Sequence, residues 1–208
     1  MNKKMRYLSK EERKHHRTKR LMSWILVGIM VFSIFSIWAT SYMSSERIQF
    51  NEYKFKYSND EKYGDNTVLT TKVDGKELFF YTHPEDAMQI PVEGNLTNLL
   101  FNKNYYIFTT NPTTDAGYLS DLIRYEFSTL LEKEFYIGVD DIYEDFPDIP
   151  VITCENASLE LPVLYLIQTE EPTNITIQNN CATINLNLKE AAYLRDRLLL
   201  SMTGISNR

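Results

Sequence analysis

The longest uninterrupted apolar run, LMSWILVGIMVFSIFSIWATSY, occupies residues 21–42 and carries no charged side chain. As a helix at about 1.5 Å per residue it reaches roughly 33 Å, enough to cross a hydrocarbon core of about 30 Å. A helix also satisfies its own amides, as lipid requires. Trp24 lies near one end, and Trp38 and Tyr42 near the other, where amphipathic rings favour the headgroup zone. Ala39 and Ser41 have the small-x-small spacing of a cleavage site, but the run exceeds the roughly 7–15 apolar residues of a signal peptide. The pattern therefore predicts an uncleaved, single-pass signal-anchor.

Beyond a linker at 43–47 the pattern changes to short periods, and residues 48–208 are long enough for one hydrophobic core. Ile48, Phe50, Tyr53, Phe55 and Tyr57 punctuate a polar background, and the step from 50 to 53 predicts a bend or bulge. Runs at 67–73 and 77–81 flank Asp74-Gly75, a strong hairpin signal. His83-Pro84-Glu85-Asp86 reads as a helix start, with proline in the first turn and acids facing the amide dipoles. A short helix follows at 96–101, then a buried strand at 105–109.

The clearest amphipathic helix covers 115–133, with Leu119, Leu122, Ile123, Phe127, Leu130 and Leu131 at helical spacing and Thr113 or Thr114 as cap. Strands are expected at 135–139, 151–154, 163–167, 175–178 and 182–186, with Asn179-Asn180 as a tight turn. A last helix spans 188–202, capped by Asn187 and Glu190 and ended by Gly204. The order predicts an α+β domain with a mixed, largely antiparallel sheet, two main amphipathic helices and the helices on one face.

Charge divides at the apolar run. Residues 1–20 hold nine Lys/Arg against two Glu, whereas residues 43–208 hold 13 basic and 26 acidic side chains, a net −13. Positive charge before the span keeps the N-terminus in the cytoplasm and sends the C-terminal domain outside the cell membrane. Within the tail, Ser9-Lys10-Glu11-Glu12 fits a capping box. The basic tail is suited to anionic headgroups, but topology alone explains its charge. His15-His16 is a poor metal pair, since adjacent helical positions point apart. The acidic domain would repel nucleic acid.

Two cysteines, Cys154 and Cys181, both fall in the external part and predict one structural disulfide. Asn95-Leu96-Thr97, Asn156-Ala157-Ser158 and Asn174-Ile175-Thr176 fit the glycan acceptor pattern, though composition alone gives about as many triplets. Asn156, close to Cys154, suits an exposed turn best.

Catalytic motifs are absent: there is no HExxH, GxSxG, Walker loop or GxGxxG. The one external histidine, His83, sits beside a proline and reads as a turn or cap residue. The densest acidic run, Asp140, Asp141, Glu144, Asp145 and Asp148, lacks the order and central glycine of an EF-hand and reads as a solvated loop. No metal, cofactor or catalytic residue is therefore predicted. Clustered aromatics at 79–81 and 105–108 read as core and sheet surface.

Residues 74–86 (DGKELFFYTHPED), 151–158 (VITCENAS) and 196–205 (DRLLLSMTGI) resemble small, uncharacterised, single-span archaeal membrane proteins. The resemblance implies topology and an archaeal source but no activity. Taken together, the sequence predicts a non-catalytic, membrane-anchored extracellular interaction or surface-assembly module with the bilayer and a protein as partners. The alternatives are a cell-surface hydrolase working through acidic residues, and an accessory subunit of a membrane complex using small residues Gly28, Ser33 and Ser36 for helix contact.

Overall fold

The computed structural model describes Ile29, Met30, Phe32, Ser33 and residues 47–59 and 67–207. Two compact units divide the chain, Met1–Glu46 and Arg47–Arg208. In the first, the four described residues are helical, and the Ser33 hydroxyl donates to the Ile29 carbonyl at 2.8 Å. The basic tail, its capping box, His15-His16, the linker residues 43–46 and the remainder of the apolar run lie outside the described residues. Among the described residues, no helix is long and apolar enough to cross a membrane.

The second unit is α+β with two sheets. Strands β1 (Arg47–Phe50), β2 (Tyr53–Ser58), β3 (Val68–Val73) and β4 (Lys76–Phe80) form an antiparallel meander in sequence order. Asn51 at φ 52° turns the chain between β1 and β2, so of the bend or bulge expected at 50–53 it is a bend, a tight hairpin turn. Asp74 and Gly75, both at positive φ, close β3 on β4 as their residue types predict.

The larger sheet contains β5 (Val92–Glu93), β6 (Tyr105–Thr110), β7 (Glu134–Val139), β8 (Val163–Gln168), β9 (Asn174–Gln178) and β10 (Cys181–Leu186), in the order β5-β9-β10-β8-β6-β7. Only β9–β10 is antiparallel; the other four pairings are parallel. The expected α+β class with a mixed sheet holds, but that sheet is mainly parallel, and the antiparallel pairing expected of it belongs chiefly to a second, smaller sheet. Helix α3 (Asp115–Leu131) joins β6 to β7, and a strand–helix–strand crossover delivers the second strand parallel to the first. Asn179 and Asn180, both at positive φ, close the single antiparallel hairpin.

Alternation along the strands sorts side chains between two faces. Tyr106, Phe108, Leu164, Leu166, Ala182, Ile184 and Leu186 enter the main core. They meet Ile123, Phe127 and Leu131 of α3, Leu194, Leu198 and Met202 of α4 (Ala191–Met202), and Phe55, Leu78 and Phe80 of the small sheet. Each fully buried side chain of this size contributes roughly 1.5–3 kcal/mol. Two short helices, α1 (Pro84–Ala87) and α2 (Leu96–Leu100), add Ala87, Leu96, Leu99 and Leu100 to the same core.

The opposite face carries a smaller cluster of Ile107, Val163 and Cys181, covered by Ile152, Cys154, Ala157 and Leu161. The covering segment was expected to hold a strand at 151–154. It makes a single bridge, Val139 to Val151, and then a 3-10 turn at Cys154–Asn156 capped by Thr153. Gly138 fits here because a Cβ would stand 2.8 Å from the Ile152 Cβ and 2.9 Å from the Thr109 hydroxyl.

Candidate functional site

Helix α3 begins where the Thr114 hydroxyl accepts the Gly117 amide at 3.3 Å. Ala116, Ser120, Ile123, Phe127 and Leu131 face inward. On the opposite side, Tyr118, Leu122 and Tyr125 are 70%, 47% and 73% exposed. Their i, i+4, i+7 spacing aligns them in one stripe. Leu122 was predicted to face the core; it faces solvent, because the sheet needs only the stripe through Ile123 and Phe127. Beside the stripe, Arg124 pairs with Asp121 at 3.3 Å.

Beneath α3 lies a buried ion cluster. Arg195 is 3% exposed and Asp196 fully buried. The Arg195 guanidinium donates to Asp196 Oδ1 and to the Phe79 carbonyl, both at 2.7 Å, and to Glu126 of α3. It also faces the rings of Phe79, Tyr81 and Phe127, 4.8, 5.1 and 5.5 Å from their centres. Asp196 Oδ2 accepts both the amide and the hydroxyl of Thr82, at 2.7 and 2.8 Å. Burial pushes the Asp196 and Glu126 carboxyls above their usual range, against the pull of Arg195. The cluster ties β4, α3 and α4 together, and its groups are directed at one another.

The sulfurs of Cys154 and Cys181 stand at bonding distance, with their Cα atoms 5.3 Å apart. This clasp fastens the 3-10 turn to β10 over the second face of the large sheet. Asp140 heads the acidic loop and accepts hydrogen bonds from the phenols of Tyr143 at 2.8 Å and Tyr165 at 3.3 Å. The hydrogen bond to the Asp140 carboxylate holds the proton on Tyr143 and pushes that phenol up to about 12. Among the described residues, no group of three or more His, Cys, Asp and Glu side chains is arranged to hold a metal ion.

A groove of about 430 Å³ brings Asp86 and Glu190 together with Gln89, Thr173 and Tyr193. Glu190 was expected to cap the last helix; its carboxylate instead accepts the Thr173 amide at 2.7 Å, and Asn187 caps the preceding 3-10 turn. His83 caps α1, its Nδ1 accepting the Glu85 amide at 3.3 Å, and stands outside the residues that line the groove.

The three acceptor asparagines occupy different settings. Asn156 is exposed and accepts the Thr153 amide at 2.8 Å. Asn95, also exposed, caps α2 through the Asn98 amide, while the Thr97 of its triplet is buried. Asn174 lies half-buried in β9, with both ends of its amide engaged by Asn185 and Pro172.

The tyrosines of the α3 stripe escape a reading that follows only the core-facing leucines. Placing 118, 122 and 125 on a helical wheel opposite Ile123 and Phe127 is the signal that identifies them. Arg195 and Asp196 escape for a different reason: their pairing depends on tertiary contact, invisible to spacing. No family model, curated protein or solved structure matches the chain.

Proposed function

We propose that this chain is a membrane-anchored module that holds an α+β domain outside the cell and binds a protein partner through helix α3. The observation that carries the reading is the exposed stripe Tyr118, Leu122 and Tyr125 on a helix whose other side is locked into the core. Tyrosine supplies large contact area at low conformational cost, and it is enriched at protein interfaces. Support for the anchor comes from the uncharged 22-residue run at 21–42 and the basic residues before it. An oxidising exterior suits the bonded cysteine pair.

A cell-surface hydrolase would use the groove that holds Asp86 and Glu190. Glu190 is already committed to the Thr173 amide, and His83 to its own helix start, which favours binding over catalysis.

Site-specific incorporation of a photo-crosslinking phenylalanine analogue at Tyr118 or Tyr125, in native membranes, tests the reading. A protein adduct of one size is expected from both positions and not from Glu144 in the acidic loop. Adducts with lipid alone, or equal labelling from all three positions, contradict it.

A further inference from the structure

We infer that the open face of the four-stranded sheet binds the anionic headgroups of the bilayer that holds the chain, an inference that rests on the anchored reading above. Ile48, Phe50, Tyr53 and Phe55 turn toward the main core, which leaves Arg47, Lys54, Lys56 and Lys72 exposed on the other face. All four line a shallow groove of about 560 Å³, together with Thr70 and two acids, Glu52 and Glu77, which leaves the basic side chains in excess there. Four of the 13 basic residues beyond position 42 thus share one face of a domain whose net charge is −13.

The sheet register makes this arrangement costly in isolation. Arg47 stands directly opposite Lys56 in the β1–β2 ladder, and like charges in directly opposed positions repel. Glu77 offsets part of this, standing opposite Lys72 in the β3–β4 ladder and approaching Lys56 to 3.9 Å. An anionic surface laid on this face relieves the repulsion.

Chain length selects that surface. Five residue-to-residue steps lead from Tyr42, the last of the apolar run, to Arg47 in the first strand of the sheet. At most about 3.6 Å per step, these reach roughly 18 Å. In the anchored reading this chain length tethers Arg47 near the headgroup zone, and β1 is an edge strand with Lys54 and Lys56 on the adjacent β2 and Lys72 on β3 beyond it. Where the leaflet that faces the domain carries anionic headgroups, Lys and Arg held beside it gain about fivefold per residue in partitioning, and salt screens the attraction.

The test uses the full chain in nanodiscs of phosphatidylcholine, alone or mixed with phosphatidylglycerol. Acylation rates of Lys54, Lys56 and Lys72 are followed by mass spectrometry, with exposed Lys189 as the internal reference. The inference expects these three lysines to react at least fivefold more slowly, relative to Lys189, in the anionic discs, and to recover in high salt. In a Lys54→Glu, Lys72→Glu variant, Lys56 should lose its protection. Equal rates in both lipids overturn the inference while leaving the anchor intact. Protection that is equal in both lipids and rises with the number of chains per disc overturns it in favour of a second copy on this face. A chain that does not stay with the disc overturns the anchor and this inference with it.

Discussion

At the scale of single residues, Arg195 shows how a buried charge is kept. Its partners Asp196 and Glu126 supply the countercharge, Phe79 a carbonyl, and three rings a polarisable wall. Such a pair is weak evidence of net stabilisation, but breaking it leaves an uncompensated ion in the interior. Asp196→Ala should therefore cost about 3–5 kcal/mol in urea unfolding. Asp196→Asn, which can still accept from Thr82, should cost less; equal losses would contradict the ion-pair account. Burial also sets a pH dependence. Because Glu126 holds its proton more tightly in the folded state, the native form binds more protons than the unfolded one above the ordinary Glu value of 4.5. Stability should then fall as pH rises through that window. Glu126→Gln should fall less steeply than the parent as pH rises above 4.5, read from urea midpoints.

At the scale of elements, the 151–161 segment has little regular structure, and the disulfide supplies what a hydrogen-bonded ladder would otherwise provide. Closing a loop of 27 residues' separation contributes on the order of 3 kcal/mol. Cys154→Ser with Cys181→Ser should lower the melting temperature by roughly 6–12 °C, as measured by calorimetry. An unchanged melting temperature would mean that packing over Ile107 and Val163 holds the segment unaided. Elements with local signals were the legible ones: the Asp74-Gly75 and Asn179-Asn180 turns, the α3 cap at Thr114 and the stop at Gly204 all act within a few residues. Gly204, at φ 74°, also lies where a Cβ would meet the Phe101 ring at 2.5 Å. Strand direction was less legible. Parallel pairing of β6 with β7 is decided by the crossover through α3, and that of β6 with β8 by the long 140–162 connection after β7, whereas alternation along each strand is the same in either direction. The two-residue β5 and the bridge at Val151 carry too few residues for a period to show.

At the scale of the whole molecule, the anchor proposed at 21–42 would hold an acidic domain that presents two dissimilar surfaces. One is the aromatic stripe of α3, read as a protein-binding face; the other is the basic face of the small sheet, read as a headgroup-binding face. Neither surface was evident from net charge, because −13 averages over the lysines of β2 and β3, and neither involves a catalytic motif. Both readings presuppose the topology in which residues 1–20 stay inside and the C-terminal domain lies outside. Protease treatment of intact cells carrying an N-terminal tag and a C-terminal tag behind a cleavable linker measures that topology directly. The account predicts loss of the C-terminal tag, survival of the N-terminal tag, and retention of the remaining fragment in the membrane after alkaline washing. Survival of both tags on intact cells, or release of the chain by the alkaline wash, would contradict it.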